Sequence, residues 1–183
     1  TLNLTATDGI GVTGYYASEA SAIPSPGDAG WTAVAPTTSY SADVPFILSG
    51  GDGEKRVYVW YKDDAGNISD AANDSIILDT TAPTVTITSP TSDSIYTTTS
   101  AIINIGGSAS DSASGLNSVI WSNDRSGVGI ADGITSWNIY GINLAGGNNT
   151  ITVTATDGAG NTGTDTITVT YETSTQTPTT TAT

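Results

Sequence analysis

The sequence VTATDGAGN at residues 153–161 decides the fold class, because VWYKDDAGN at residues 59–67 has the same layout 94 positions earlier. In both copies an alternating, strand-like segment runs into an acidic, glycine-rich turn. A period of this length exceeds the roughly 20 to 50 residues of solenoid and propeller repeats and suffices for a small domain with its own core. The chain of 183 residues is therefore predicted to contain two tandem β domains.

Composition argues against most catalytic chemistry, because the chain contains no Cys, Met or His. It therefore lacks an imidazole base, a thiolate nucleophile and the usual ligands of a zinc site. We predict that the protein is not an enzyme. A bound metal would need oxygen ligands, and this requirement favours calcium.

The net charge of −14, from 18 acidic and 4 basic residues, restricts the class of partner. Nucleic acids and anionic membranes are bound through clustered Lys and Arg side chains, so we predict that the chain binds no nucleic acid. No apolar run approaches the roughly 20 residues of a membrane-spanning helix. We therefore expect no insertion into a membrane.

Residues 82–172, the second repeat, show the period-two alternation of strands separated by turn residues, which predicts a β-sandwich. The predicted strands are residues 84–88, 101–105, 117–121, 137–139, 150–156 and 166–171, with a weak strand at 128–130. Residues 173–183 are rich in Thr and have no apolar periodicity. They are predicted to be an extended tail or linker.

Residues 1–81, the first repeat, follow the same order but begin at the second strand, because Asp8 aligns with Asp111. The predicted strands are residues 2–7, 12–17, 38–46, 56–62 and 75–78. The first strand of the sandwich, strand A, is missing from this repeat. Either the boundary of the fragment has removed it, or another chain supplies it.

Two further segments connect the repeats to a known family: DTTAPTVTITSP at residues 79–90, and TATDGAGN at residues 154–161. With these motifs the chain resembles tandem bacterial immunoglobulin-like domains of secreted and cell-surface proteins. The resemblance implies an all-β fold of two tandem immunoglobulin-like β-sandwiches joined by a short linker, and an extracellular or cell-surface location. Such modules serve as spacers, as adhesive units or as accessory domains of enzymes, so the fold alone does not fix the function.

Candidate metal ligands lie in the acidic turns. In an immunoglobulin-type sandwich two of the loops lie at the end where the chain enters, and these loops carry Asp111 and Asp157. Asp79 in the linker reaches the same end, so these carboxylates and the side-chain oxygen of Asn161 are predicted to bind Ca²⁺. The equivalent residues of the first repeat are Asp8, Asp63, Asp64 and Asn67. The alternative is that these side chains only hydrogen-bond their own turns.

Aromatic residues distinguish the first repeat from the second. Tyr15, Tyr58 and Trp60 are predicted to face outward on neighbouring strands, where they would form a patch that stacks on a sugar ring or docks a partner. The alternative is that the insertion at residues 19–36, which contains Trp31, folds over them and buries them.

Two classes of function follow from these features. The first is a non-catalytic structural or spacer module of a bacterial or archaeal surface or filament protein, stiffened by calcium at the domain junction. Its partners would be neighbouring immunoglobulin-like domains or other copies of the chain. The second is an adhesin segment or a carbohydrate-binding accessory module, with a glycan or a surface protein as partner.

Overall fold

A computed structural model describes residues 1–125 and 127–173 of the chain. Within these residues all regular secondary structure is β-strand, which confirms the predicted all-β fold class. The described residues contain no helix long and apolar enough to cross a membrane. The chain divides into two compact units, of which unit 1 is Thr1–Leu78 and unit 2 begins at Asp79. The predicted tail lies outside the described residues after Thr173.

Unit 1 is a single antiparallel sheet of four strands in the order β2-β1-β3-β4. The strands are β1 (Leu2–Ser18), β2 (Thr32–Val44), β3 (Gly53–Asp63) and β4 (Ala72–Leu78). The sheet folds over on itself, because Leu4 in the first half of β1 shares a buried cluster with Val57 and Val59 of β3. Unit 1 therefore differs from the predicted sandwich in that its two layers are joined by the continuous strand β1.

The difference arises at Asp8, where sequence reasoning placed a loop between two strands. One carboxylate oxygen of Asp8 accepts the backbone N–H groups of Ile10 at 2.8 Å and Gly11 at 2.7 Å. Gly11 has a φ of 124°, which a glycine adopts without strain. These contacts hold a bulge inside one long strand, and β2 pairs with β1 on both sides of it. The two predicted strands are thus halves of β1.

The described part of unit 2 contains eight strands, and every strand predicted for residues 82–172 is present. They are β5 (Thr84–Ser89), β6 (Ile95–Thr98), β7 (Ile102–Ser110), β8 (Leu116–Asn123), β9 (Val128–Ile130), β10 (Ser136–Asn143), β11 (Gly147–Asp157) and β12 (Thr162–Tyr171). The sequence missed β6, a four-residue strand that pairs in parallel with β12. A strand of four residues is too short to show a clear alternation in the sequence, and its conformation depends on pairing with β12.

The strands of unit 2 form two sheets, ordered β10-β7-β5 and β6-β12-β11-β8-β9, which share one core. Fifteen buried apolar residues from both sheets make up this core, with Trp137 at its centre and fully buried. On β11 the side chains of Ile151, Val153 and Ala155 are buried while the threonines between them remain half-exposed. Unit 2 is thus the predicted immunoglobulin-like sandwich.

The strand pairings of unit 1 repeat three pairings of unit 2. The first half of β1 pairs with β2 as β7 pairs with β10, and the second half pairs with β3 as β8 pairs with β11. The pairing of β3 with β4 matches that of β11 with β12. The continuous β1 joins into one sheet what unit 2 separates into two.

Candidate metal centre

Three carboxylates of unit 2 converge at one end of the sandwich. Asp79 is the first residue of the unit, Asp111 follows β7, and Asp157 is the last residue of β11. One oxygen from each lies within 4.8 Å of the others. Asp79 is 7% exposed and Asp157 only 1% exposed, whereas Asp111 is half-buried. The structure therefore brings together the three carboxylates that the sequence predicted to meet.

Asp157 organises the turn after β11. One of its carboxylate oxygens accepts the backbone N–H groups of Ala159 at 3.0 Å and Asn161 at 2.8 Å, and the other accepts the side-chain amide of Asn161 at 2.8 Å. Burial raises the pKa of Asp157, but the hydrogen bonds from Asn161, Gly160 and Ala159 outweigh burial and hold this pKa below its usual value. The side chain is therefore ionised at neutral pH.

Asp79 ties the entering chain to the loop after β7. One of its oxygens accepts the N–H of Thr81 at 3.0 Å, and the other accepts the N–H of Ser114 at 3.0 Å as well as the Ser114 hydroxyl. In the same loop, Asp111 accepts the N–H groups of Ala113 at 3.1 Å and Gly115 at 2.7 Å. Asp79 thus links two segments, whereas Asp111 shapes its own loop.

Close backbone contact brings the two loops together. The N–H of Gly158 donates to the carbonyl of Gly115 at 2.8 Å. A Cβ atom at position 158 would lie 2.8 Å from the carbonyl oxygen of Ser114, which is closer than real Cβ atoms approach other heavy atoms. Glycine is required here because the turn after β11 lies directly against the loop that carries Asp111.

No basic side chain neutralises this cluster in the described part of the chain, because each one is engaged elsewhere. Arg125, the basic residue of unit 2, donates to the carbonyl of Asn148 at 3.4 Å. In unit 1, Lys55 donates to Ser49 and Gly50, Arg56 pairs with Glu54 and Asn73, and Lys62 donates to Pro26. Three carboxylates this close repel one another, and a bound cation would remove that repulsion.

Asn161 takes a different role from the predicted one. Its side-chain NH₂ group donates to Asp157 and also to the carbonyls of Asp79 at 3.2 Å and Thr81 at 3.4 Å. The amide oxygen consequently faces away from the carboxylates. The prediction that this oxygen is a metal ligand disagrees with the arrangement, because the amide hydrogens stabilise the carboxylate of Asp157 instead.

Unit 1 repeats the turn but not the cluster. Asp63 accepts the backbone N–H of Asn67 at 2.8 Å and its side-chain amide at 2.7 Å, as Asp157 does with Asn161. These hydrogen bonds, first that of the Asn67 side chain, lower the pKa of Asp63. Asp8 holds the bulge in β1, and Asp64 is exposed. Among the described residues, the three-carboxylate group of unit 2 has no equivalent that includes Asp8, Asp63 and Asp64.

The predicted aromatic patch is not formed. Strand register pairs Trp60 with Tyr16 and Tyr61 with Tyr15, so Tyr15 and Trp60 lie on opposite faces of the sheet. The irregularity between Val12 and Gly14 shifts the alternation of β1 by one residue, which is why sequence reasoning chose the wrong tyrosine. Tyr15 instead stacks on Tyr40 with ring centroids 6.1 Å apart.

Trp60 is fully buried, which removes it from any stacking surface. The centroid of its ring lies 6.0 Å from that of Tyr58 and 6.1 Å from that of Tyr16. The Tyr16 centroid in turn lies 5.6 Å from that of Trp31 in the insertion. The Lys62 ammonium lies 4.8 Å from the centre of the Trp31 ring. The insertion at residues 19–36 therefore packs over the face that carries Trp60, as the alternative predicted, whereas Tyr15 lies on the other face and Tyr58 stays half-exposed.

Residues 83–173 match the family model described as glucodextranase, domain B. This match covers the sandwich of unit 2 and agrees with its immunoglobulin-like fold. No curated protein matches the chain significantly.

Solved structures similar to the chain include the fibronectin(III)-like modules of Clostridium thermocellum CbhA, at 15% identity and a TM-score of 0.45, covering 98% of this chain and 90% of that one. A 1.5-MDa bacterial ice-binding adhesin matches at 19% identity and a TM-score of 0.42, covering 95% of this chain and 55% of that one. A Ca²⁺-stabilised adhesin of an Antarctic bacterium matches at 21% identity and a TM-score of 0.40, covering 93% of this chain and 42% of that one.

Proposed function

We propose that this chain is a non-catalytic structural module of an extracellular or cell-surface protein, and that Ca²⁺ bound by Asp79, Asp111 and Asp157 fixes the segment that enters unit 2. The observation that carries the proposal is the convergence of three carboxylates, two of them buried, without a basic side chain to neutralise them. A cation in their midst removes the repulsion between them and raises the stability of the folded state.

The spacing of the oxygens supports calcium as the cation. Calcium binds oxygen ligands at about 2.3–2.6 Å, so two ligands on opposite sides of the ion are up to about 5 Å apart. The carboxylate oxygens of the cluster lie within 4.8 Å of one another. Magnesium usually keeps several of its water molecules, so a site built from protein oxygens suits calcium better.

The place of Asp79 in the chain connects the cluster to a mechanical role. Asp79 directly follows Leu78, the last residue of unit 1, and Pro83 restricts the backbone before β5. A cation held jointly by Asp79 and the two loops would restrict the motion of residues 79–83. Extracellular modules bind calcium at about 10⁻⁴ to 10⁻³ M, so the site would be filled outside a cell and vacated inside.

Calorimetry in CaCl₂, MgCl₂ or EDTA tests the site. Millimolar CaCl₂ is expected to raise the unfolding temperature of unit 2, and MgCl₂ is expected to raise it less. Asp111→Asn should abolish the calcium response, because the amide keeps an acceptor for Ala113 and Gly115 but loses the charge. Asp93→Asn is the matched control, because it removes one negative charge from an exposed residue outside the cluster.

A pair of spin labels, one on each unit, tests the mechanical role separately. Calcium is expected to narrow the distribution of label distances in the unaltered chain and to leave it unchanged in Asp111→Asn. If calcium binds but does not narrow the distribution of label distances, the metal site stands and the proposed stiffening is wrong. An unfolding curve that is identical in CaCl₂ and EDTA would reduce the three carboxylates to turn formers.

A further inference from the structure

Unit 1 contains an open apolar cleft of about 580 Å³ within its own core. Its floor is formed by Leu2, Leu4, Phe46, Leu48, Val57 and Val59. Only Leu4, Val57 and Val59 form the buried centre of this cluster, whereas the core of unit 2 contains fifteen buried residues. The core of unit 1 is therefore incomplete.

The rims of the cleft are two strand edges that pair with no further strand among the described residues. One rim is residues 1–5, and residues 2–7 of β1 pair only with β2. The other rim is residues 72–76 of β4, whose described pairing is with β3 alone. Free edges with an apolar floor between them are the usual seat of an added strand.

Unit 2 shows what covers the equivalent position. There, β7 and β12 correspond to the first half of β1 and to β4, and they pair with β5 and β6 respectively. Val85 and Ile87 of β5 point into the core and are 9% and 4% exposed. The two strands that border the cleft in unit 1 are thus the counterparts of the two strands that β5 and β6 cover in unit 2.

We propose that the cleft of unit 1 binds one extended β-strand, of the type that Thr84–Ser89 forms in unit 2, supplied from outside residues 1–183. The occupant has apolar side chains at alternate positions, which fill the space above Val57 and Val59, and its backbone pairs with the free edge of residues 2–7. Lys55 and Asp74, of opposite charge, are the charged side chains of the cleft, so it suits an uncharged segment such as TVTITS.

The test adds a copy of residues 79–103, which carries β5 and β6, in front of Thr1 of the full chain. The matched control replaces the valine and isoleucine that correspond to Val85 and Ile87 with asparagine. Hydrogen exchange at residues 2–7 and 72–76 is expected to slow at least tenfold in the extended chain and to remain unchanged in the control. The unfolding temperature of unit 1 is expected to rise by at least ~5 °C.

Two variants of the extended chain locate the added strand. Ile76 lines the cleft and is 59% exposed, whereas its neighbour Ile77 is 53% exposed and does not line it. Ile76→Asp should remove the protection, and Ile77→Asp should retain it. Equal protection by the asparagine control, or equal loss in both variants, would overturn the proposal.

Sedimentation of the unextended chain tests whether a second copy of the chain occupies the cleft. A concentration-dependent dimer that protects residues 2–7 from exchange would make a second copy the occupant and overturn the proposal. A cleft of this size also lies in the range of small-molecule sites. If the added strand gives no protection, and an apolar dye such as ANS binds the chain and Ile77→Asp but not Ile76→Asp, the cleft is a ligand site and the proposal is overturned.

Discussion

At the scale of single residues, the Asp–Asn pair in the turn after β11 makes a prediction about pH. The pKa of Asp157 is lower than 3.8 in the folded protein because hydrogen bonds outweigh burial. A carboxyl group whose pKa is depressed on folding adds stability that is present above its unfolded pKa and is lost as pH falls through the folded value. In EDTA, we expect the urea concentration at the unfolding midpoint to decrease as the pH is lowered below about 4. The decrease should be less steep in Asp157→Asn.

Carboxyl ¹³C shifts check the same prediction without unfolding the protein. Asp63 and Asp157 should both titrate below 3.8, because both carboxylates accept the side-chain and backbone amides of an asparagine four residues on. A midpoint for Asp157 above 3.8 would mean that burial dominates, and the stability argument would then change sign.

Gly158 makes a second prediction at this scale. Its counterpart in unit 1 is Asp64, which is exposed and has room for a side chain. In unit 2 a Cβ atom would meet the carbonyl of Ser114 at 2.8 Å. Gly158→Ala should therefore lower the free energy of unfolding of unit 2 by about 1–3 kcal/mol and weaken the calcium response. Asp64→Gly, measured by the same urea titration, should leave unit 1 within about 1 kcal/mol of its original stability.

At the scale of strands, the alternating segments of unit 2 were predictable because each strand has one buried and one exposed face. The continuity of β1 in unit 1 was not, since the bulge at Asp8 and the irregularity before Gly14 depend on which strand lies alongside. The meeting of Asp79, Asp111 and Asp157 was predictable because it depends only on which loops lie at the same end of the sandwich. The orientation of the Asn161 amide was missed because it depends on local hydrogen bonds.

The insertion before β2 makes a prediction at the same scale. Trp31 packs edge-on against Tyr16, lies beside Lys62 and donates its ring N–H to the carbonyl of Ser25 at 2.8 Å. Trp31→Ala should reduce the free energy of unfolding of unit 1 by about 1–2 kcal/mol, since aromatic pairs and apolar area are lost. Ile23→Ala in the same insertion removes a side chain that is 75% exposed, and urea unfolding should change by less than about 0.5 kcal/mol.

At the scale of the whole molecule, the two units have central apolar clusters of very different size. The central cluster of unit 1 has three buried apolar residues, and that of unit 2 has fifteen in the described part of the chain. Because apolar burial is the main stabilising contribution, the two repeats should differ in stability although they share a strand order. Sequence similarity between repeats therefore does not predict equal stability.

Calorimetry of the full chain should accordingly show two transitions, with unit 1 unfolding at the lower temperature. Leu4→Ala, a core truncation worth about 2–5 kcal/mol, should move the lower transition alone, and Ile151→Val, worth about 0.5–1.5 kcal/mol, the upper one alone. Calcium should raise only the upper transition, because Asp79, Asp111 and Asp157 all belong to unit 2. A single transition that both substitutions shift would mean that the units fold as one cooperative body, and the small core of unit 1 would then draw its stability from unit 2.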